Sequence, residues 1–391
     1  MGLSNRITTL TPDAAGGWEL FFRARAMIAA GQKVTELTIG EHDIRTDPVI
    51  LDEMHRAARA GHTGYAAIPG IAPLREEVAA RVEAATGVPT RPENVVITAG
   101  GQAALFAAHM AVCDPRDRAL FIDPYYATYP GTIRGASALP VPIKALAENG
   151  FQPDPGDIAA AAAGDGAASL LINTPNNPTG VIYDRATLEG IARAAQEHDF
   201  WVISDEVYDT QIWEGEHLSI RALPGMADRT LVVGSMSKSH AMTGSRIGWI
   251  VGPEAAVAHL INLSTHTTYG VAGFIQEAAL FALRQGPAFE ARIAEPFRRR
   301  REIALGILAG QNVVRAVPPQ GAMYMMLDIR ATGLSGKAFA EKLLEERRIA
   351  VMPGESFGAA AAGHVRVAMT VEDGAFATAF EELVGFAAAQ I

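Results

Sequence analysis

Between residues 90 and 252 the chain alternates short apolar runs rich in β-branched residues with stretches whose apolar side chains recur at helical spacing, and this alternation narrows the possible folds more than any other feature. The runs are Val95-Val96-Ile97-Thr98, Leu120-Phe121-Ile122, Leu170-Leu171-Ile172-Asn173, Trp201-Val202-Ile203-Ser204, Leu231-Val232-Val233 and Ile247-Gly248-Trp249-Ile250, with helical spacing over 103–112 and 188–198. Repeated strand–helix–strand order predicts an α/β fold with a mostly parallel central sheet covered on both faces. Ligands of such sheets gather at the carboxyl ends of the strands. The first five runs are followed in turn by Ala99-Gly100-Gly101-Gln102, Asp123-Pro124-Tyr125-Tyr126, Thr174-Pro175-Asn176-Asn177-Pro178-Thr179-Gly180, Asp205-Glu206-Val207-Tyr208 and Ser235-Met236-Ser237-Lys238. Five polar clusters at five successive strand ends predict one shared pocket.

At 391 residues the chain exceeds what one hydrophobic core usually serves. An amphipathic stretch at 18–30 and a short strand near Leu37 precede the alternating region. Long helices and strand-like runs at 322–329 and 364–369 follow it. We therefore expect an N-terminal arm and part of a small domain over 1–47, a large domain over 48–288, and the rest of a smaller α+β domain over 289–391. The formal charge of -10 disfavours phosphate backbones and anionic lipid, and the arginine run 298–301 reads as a solvated helix face, so no nucleic-acid or membrane partner is expected. Cys113 is the single cysteine, which excludes an intrachain disulfide and cysteine zinc sites. Residues 1–13 lack a secretory pattern, and 255–276, the longest stretch free of charged residues, is too polar to span a bilayer. A cytoplasmic location is expected.

Gly100 and Gly101, between a strand and a helix, leave backbone N–H groups open at the positive end of the helix dipole, an arrangement that suits an anion and equally an ordinary glycine turn. The pattern around Lys238 says more. Ser235, Ser237, Lys238, Gly244, Arg246 and Gly248 form S-x-S-K-x-x-x-x-x-G-x-R-x-G. Two hydroxyls and a guanidinium can hold a phosphate, and a lysine among them can form an imine with a neighbouring aldehyde.

With this motif, Asn-Asn-Pro-Thr-Gly at 176–180, Ser-Asp-Glu-Val-Tyr at 204–208 and Y-x-x-x-x-G-x-x-x-L-R at 65–75, nearly the whole chain resembles the class I/II aminotransferases of fold type I, which depend on pyridoxal 5'-phosphate. The resemblance implies that Lys238 holds the cofactor as a Schiff base and then acts as general base in amino transfer, by way of a pyridoxamine phosphate form. It implies that Gly100, Gly101, Gln102, Ser235, Ser237 and Arg246 surround the phosphate, with Tyr65 reaching the phosphate of a neighbouring subunit in a homodimer. Asp205 would keep the pyridine nitrogen protonated, Tyr208 and Asn177 would bond the ring's 3-oxygen, and Tyr126 would stack on the ring, with Tyr125 and Tyr129 as adjacent competitors. Arg366 would grip the substrate α-carboxylate, as would the Gly40 backbone, although an ordinary strand arginine looks the same. His42 stands where the family usually has proline. Residues 264–269 would face a partner's site or form a plain polar loop.

The substrates implied are an L-amino acid and a 2-oxo acid, pyruvate or 2-oxoglutarate. Residues 215–217, 222–230 and 237–244 resemble the arginine–pyruvate transaminase branch, for which Glu41 or Asp43 would supply a carboxylate to the guanidinium. Met323 and Met325 suggest an adaptable pocket wall. The alternatives on this fold are a β-lyase and a cofactor-binding regulatory module.

Overall fold

The computed structural model describes residues 1–11, 18–164 and 166–391, so the reading of 1–13 as lacking a secretory pattern falls partly outside it, at Pro12 and Asp13. The alternating region folds as one seven-stranded sheet: β1 (Val95–Thr98), β2 (Arg118–Asp123), β3 (Leu139–Lys144), β4 (Ser169–Asn173), β5 (Trp201–Asp205), β6 (Thr230–Ser235) and β7 (Gly248–Val251). Their spatial order is β1-β7-β6-β5-β4-β2-β3. Every adjacent pair is parallel except those of β7, which runs antiparallel to both β1 and β6. The strands inside the sheet are buried along almost their whole length because both faces are covered. Leu120 and Ile122 of β2 join Leu170, Ile172 and Val202 under the helix Arg185–Glu197. The intervening Phe121 joins Leu171, Ile203, Leu231 and Val233 under the helix Gly101–Val112. Each such fully buried side chain contributes about 1.5–3 kcal/mol.

β3, Leu-Pro-Val-Pro-Ile-Lys, is not among the runs read from the sequence, and its two prolines in six residues carry little strand signal. It pairs only with β2, at the sheet edge, where a missing N–H on the open side costs nothing.

A second sheet, wholly antiparallel, has the order Met352–Pro353, His364–Ala368, Tyr324–Asp328, Arg315–Ala316. The two chain ends meet beside it, where Thr35–Glu36 pairs in parallel with Ile349–Ala350. The helix Glu19–Ala29 buries Leu20 and Ala24 in the same core, with Phe339, Leu343, Phe376 and Phe380. The expected boundary at 288 falls at the second residue of the helix Pro287–Ala309.

That helix corrects one expectation. Arg298 and Arg299 are exposed and paired with Glu295 and Asp373, but Arg300 and Arg301 are buried. Arg300 forks onto Asp43 at 2.7 and 3.0 Å and also bonds Asp373, so half of the run faces inward to fasten residues near 43 to the C-terminal domain. Among the described residues, no helix is long and apolar enough to cross a membrane.

Candidate active site

Where β1, β2, β4, β5 and β6 end, a cavity of about 300 Å3 opens between the two sheets. It is lined by Gly40, Gly101, Gln102, Tyr126, Asn177, Asp205, Tyr208, Ser235, Ser237, Lys238, Arg246 and Arg366. Two residues assigned to the cofactor from the sequence are not on its wall. Gly100 lies just behind, as the residue capping the helix Gly101–Val112; its φ of 81° favours glycine, and a side chain there would collide with the Arg246 guanidinium. Tyr65 lies elsewhere, 92% exposed on the surface and edge-on to Tyr269 at 5.1 Å, so residues 264–269 contribute to that exposed aromatic pair.

One end of the cavity is built from helix starts. The first turn of Gly101–Val112 points its N–H groups inward, and Ser235 caps the short helix Met236–Ser239, its Oγ accepting from the Ser237 N–H at 3.1 Å. Arg246 crosses between them, donating to the Thr243 carbonyl at 2.8 Å and lying 3.5 Å from Ser237 Oγ. Its φ of 50° is unusual for a non-glycine residue, a strain of about 1–3 kcal/mol that the surrounding turn sustains.

At the opposite, deep end lies Asp205. Burial pushes its carboxyl up to about 6, against the hydrogen bonds from the Tyr129 hydroxyl at 2.6 Å and, more weakly, from the Val207 N–H at 3.4 Å. Tyr208 Oη lies 3.1 Å from Tyr324 Oη and accepts from Asn177 Nδ2 at 3.5 Å.

The side toward the second sheet carries Arg366, fully buried. Its Cζ lies 4.3 Å from the ring centres of both Tyr324 and Phe357, so the guanidinium is sandwiched between two aromatic faces. It donates to Asn177 Oδ1 at 2.8 Å and to the Thr38 carbonyl, while its Nε has no hydrogen-bond partner among the described residues. Lys238 Nζ donates to the Gly40 carbonyl. Gly40 packs so tightly that any side chain would run into the Tyr324 hydroxyl. His42 is buried edge-on to Phe297 at 5.0 Å, and its imidazole is pushed down to about 3, first by burial and then by the charge of Lys238.

Charge is the decisive property of the site. Lys238, Arg246 and Arg366 all line one small cavity, their hydrogen bonds go to neutral oxygens, and none forms an ion pair among the described residues. Such a cavity suits anions, and Asp205, buried with no ion pair among the described residues, suits a positively charged ring nitrogen. Pyridoxal phosphate with an amino-acid carboxylate fits both requirements.

Several wall residues were not singled out in the sequence. Tyr129 was named only as a rival to Tyr126 for stacking, and its hydroxyl instead serves Asp205. Tyr125 packs edge-on against Phe121 outside the cavity. Trp18, Leu105 and Tyr324 carried no local signal at all. Met323 and Met325 do not line the cavity: strand alternation turns Tyr324 inward and both thioethers into the small-domain core. Of the two acids weighed for a cationic substrate, Asp43 is engaged by Arg300 and only Glu41 lines the cavity.

Comparisons with known proteins converge on the same chemistry. Residues 32–383 match the family model of aminotransferase class I and II. The arginine–pyruvate transaminase of Pseudomonas aeruginosa is 40% identical over 372 residues, covering 95% of this chain and 94% of its own. The aspartate/prephenate aminotransferase of Thermus thermophilus is 36% identical over 377 residues, 95% of each protein. Among solved structures, the Thermus thermophilus aspartate aminotransferase with maleate superposes with a TM-score of 0.92 at 35% identity, over 99% of this chain and 100% of that one. With the cavity and its unpaired cations, these matches place the chain in the class I and II aminotransferases, and it is a pyridoxal-phosphate-dependent aminotransferase.

Proposed function

We propose that Lys238 is the lysine that holds the cofactor and moves the proton, and that this enzyme takes arginine as amino donor and pyruvate as acceptor. When bound, pyridoxal phosphate supplies an aldehyde that accepts the amino nitrogen and a ring that takes up the electrons of the breaking Cα–H bond. The observation that supports the assignment is the placement of Lys238 Nζ in a cavity whose other two cations have no ion-pair partner. Gly101, Ser235, Ser237 and Arg246 then neutralise and orient the phosphate through N–H, hydroxyl and guanidinium donors. Asp205 holds a proton on the ring nitrogen, Tyr208 and Asn177 donate to the ring oxygen, and Tyr126 covers the ring face. Arg366 binds the substrate carboxylate with the donors that its sandwich leaves free, beside the Gly40 backbone. Lys238 Nζ, which lines the same cavity, would receive the Cα proton and pass it on.

The substrate choice draws on the name of the Pseudomonas relative and on Glu41, the one acidic side chain besides Asp205 on the cavity wall among the described residues. We further propose a cytoplasmic homodimer in which Tyr65 serves the partner's phosphate, and a division into 1–47, 48–288 and 289–391.

Borohydride reduction of the holoenzyme followed by peptide mapping tests the lysine: the label is expected on Lys238, and a label elsewhere refutes the assignment. Single-turnover reaction with arginine, aspartate, alanine and phenylalanine, followed by cofactor absorbance, tests the donor. Arginine reacting no faster than alanine would remove the substrate reading and leave the lysine assignment standing.

A further inference from the structure

The substrate-facing guanidinium of Arg366 is wedged between two rings, and only one of them, Tyr324, belongs to a strand paired with its own. The other, Phe357, lies outside any strand, at the end of the single 3-10 turn Gly354–Phe357 that follows the two-residue strand Met352–Pro353. Beyond that strand, its backbone is tied to the large domain. The Phe357 carbonyl accepts from the Tyr125 N–H at 2.9 Å. The next turn, Ala359–Ala361, points two N–H groups at the Asp123 carboxylate: Ala359 at 3.0 Å, and Ala360 at 3.2 and 3.3 Å. Gly358, between the two turns, passes so close to that carboxylate that a side chain there would collide with it.

Asp123 ends β2, directly before the turn that carries Tyr126, and it is 3% exposed. Burial pushes its carboxyl up to about 6, against the two peptide N–H groups and the more distant Lys144. For the fold alone this acid is a liability, since a buried carboxylate without an ion pair lowers stability. What it achieves is alignment. The carboxylate fixes the N–H groups of 359 and 360, these fix Gly358, and Gly358 fixes the Phe357 ring on the guanidinium.

We propose that Asp123 is a positioning residue for substrate recognition, acting across the domain boundary through the 357–360 segment to hold the Arg366 guanidinium in its carboxylate-binding orientation. The inference rests on the proposed reading of Arg366 as the residue that binds the substrate carboxylate. It ties the turn carrying Tyr126, on the cofactor side, to the group that receives the substrate.

The test compares Asp123→Asn, Phe357→Leu and Arg366→Leu, singly and in pairs, in the holoenzyme. Asp123→Asn keeps the shape but sets an amide NH2 against the peptide N–H groups. We expect KM for the amino acid to rise about tenfold with kcat nearly unchanged, because a small misplacement of a binding group is costly. Cofactor affinity, read by absorbance titration of the apoprotein with pyridoxal phosphate, should stay the same. Phe357→Leu should act in the same direction, and adding Asp123→Asn to Arg366→Leu should cause no further loss. If Arg366→Leu leaves KM unchanged, the carboxylate reading itself fails. If Arg366→Leu raises KM but Asp123→Asn does not, or if Asp123→Asn weakens cofactor binding as much as it raises KM, the positioning role is overturned.

Discussion

Tyr129 donates its phenolic hydrogen to Asp205 Oδ2 at 2.6 Å, and both groups are buried. A donor on one carboxylate oxygen lowers the proton affinity of the whole group, so it opposes the burial that pushes Asp205 upward. Tyr129→Phe keeps the ring and removes the donor. In the apoprotein, Asp205 should then titrate higher than in the parent, measured by 13C NMR of labelled aspartate. An unchanged Asp205 titration would show that the bond has no electrostatic effect. In the holoenzyme, Asp205→Asn should lower kcat by about 10^2-fold or more, because a buried, fixed charge opposite a reacting ring is among the larger catalytic terms.

Among the described residues, Arg366 is the one cation that the second sheet contributes to the cavity wall, and its planar fork cannot be reproduced by an ammonium. Arg366→Lys should raise KM for the amino acid by about 10^2-fold, consistent with loss of a buried charge-assisted pair. Affinity for pyridoxal phosphate should be little changed. Steady-state kinetics beside cofactor titration separates the two effects.

Tyr65 cannot serve its own cavity from its exposed position. If it serves a partner's, variants Tyr65→Ala and Lys238→Ala complement each other in mixed dimers, since one of the two sites of a hybrid keeps both wild-type residues. An equal mixture, unfolded and refolded together, should recover about a quarter of wild-type activity from statistical assortment in a two-fold dimer. Activity no greater than the mean of the separate variants would rule out sharing.

His109 is remote from the chemistry and sets a pH limit on stability. It is fully buried on the helix Gly101–Val112, with Nδ1 2.8 Å from the Leu105 carbonyl, and burial pushes its imidazole down to about 4 despite that bond. A base depressed on folding leaves stability intact above its unfolded value near 6.5 and removes it as pH falls toward 4, here by on the order of 3 kcal/mol at most. His42 and His240, pushed down to about 3 and 4, act in the same sense. Asp123 and Asp205, pushed up to about 6, act oppositely and favour the folded state as pH falls through 6. Denaturant titrations of His109→Gln and the parent at pH 7 and pH 4.5 should show the variant losing less stability on acidification.

What could be read in the sequence was what lies within a few residues of a strand end. Gly101, Asn177, Asp205 and Lys238 each lie within five residues of the end of an apolar run, and the sheet brings those ends together by its topology. What could not be read depends on residues distant in the chain. Tyr129 and Tyr126 are equivalent in local pattern, and only the packing of the helix Tyr129–Gly135 against the sheet decides which hydroxyl reaches Asp205. Tyr324 enters the cavity because of the alternation of its strand, whose register is set by His364–Ala368. Phe357 has no polar atom in its side chain and no motif. Its place against Arg366 appears only when both domains are present.

The parallel pairing of Thr35–Glu36 with Ile349–Ala350 has a consequence for biosynthesis. Thr38, whose carbonyl accepts from Arg366, is separated from it by 328 positions, and the Gly40 carbonyl that receives Lys238 belongs to the same early segment. A nascent chain leaving the ribosome can therefore complete the large sheet while its amino-terminal portion still lacks a β partner. Catalytic competence is deferred until residue 366 has been translated, and truncation anywhere before it should yield a protein that folds in part and turns over nothing.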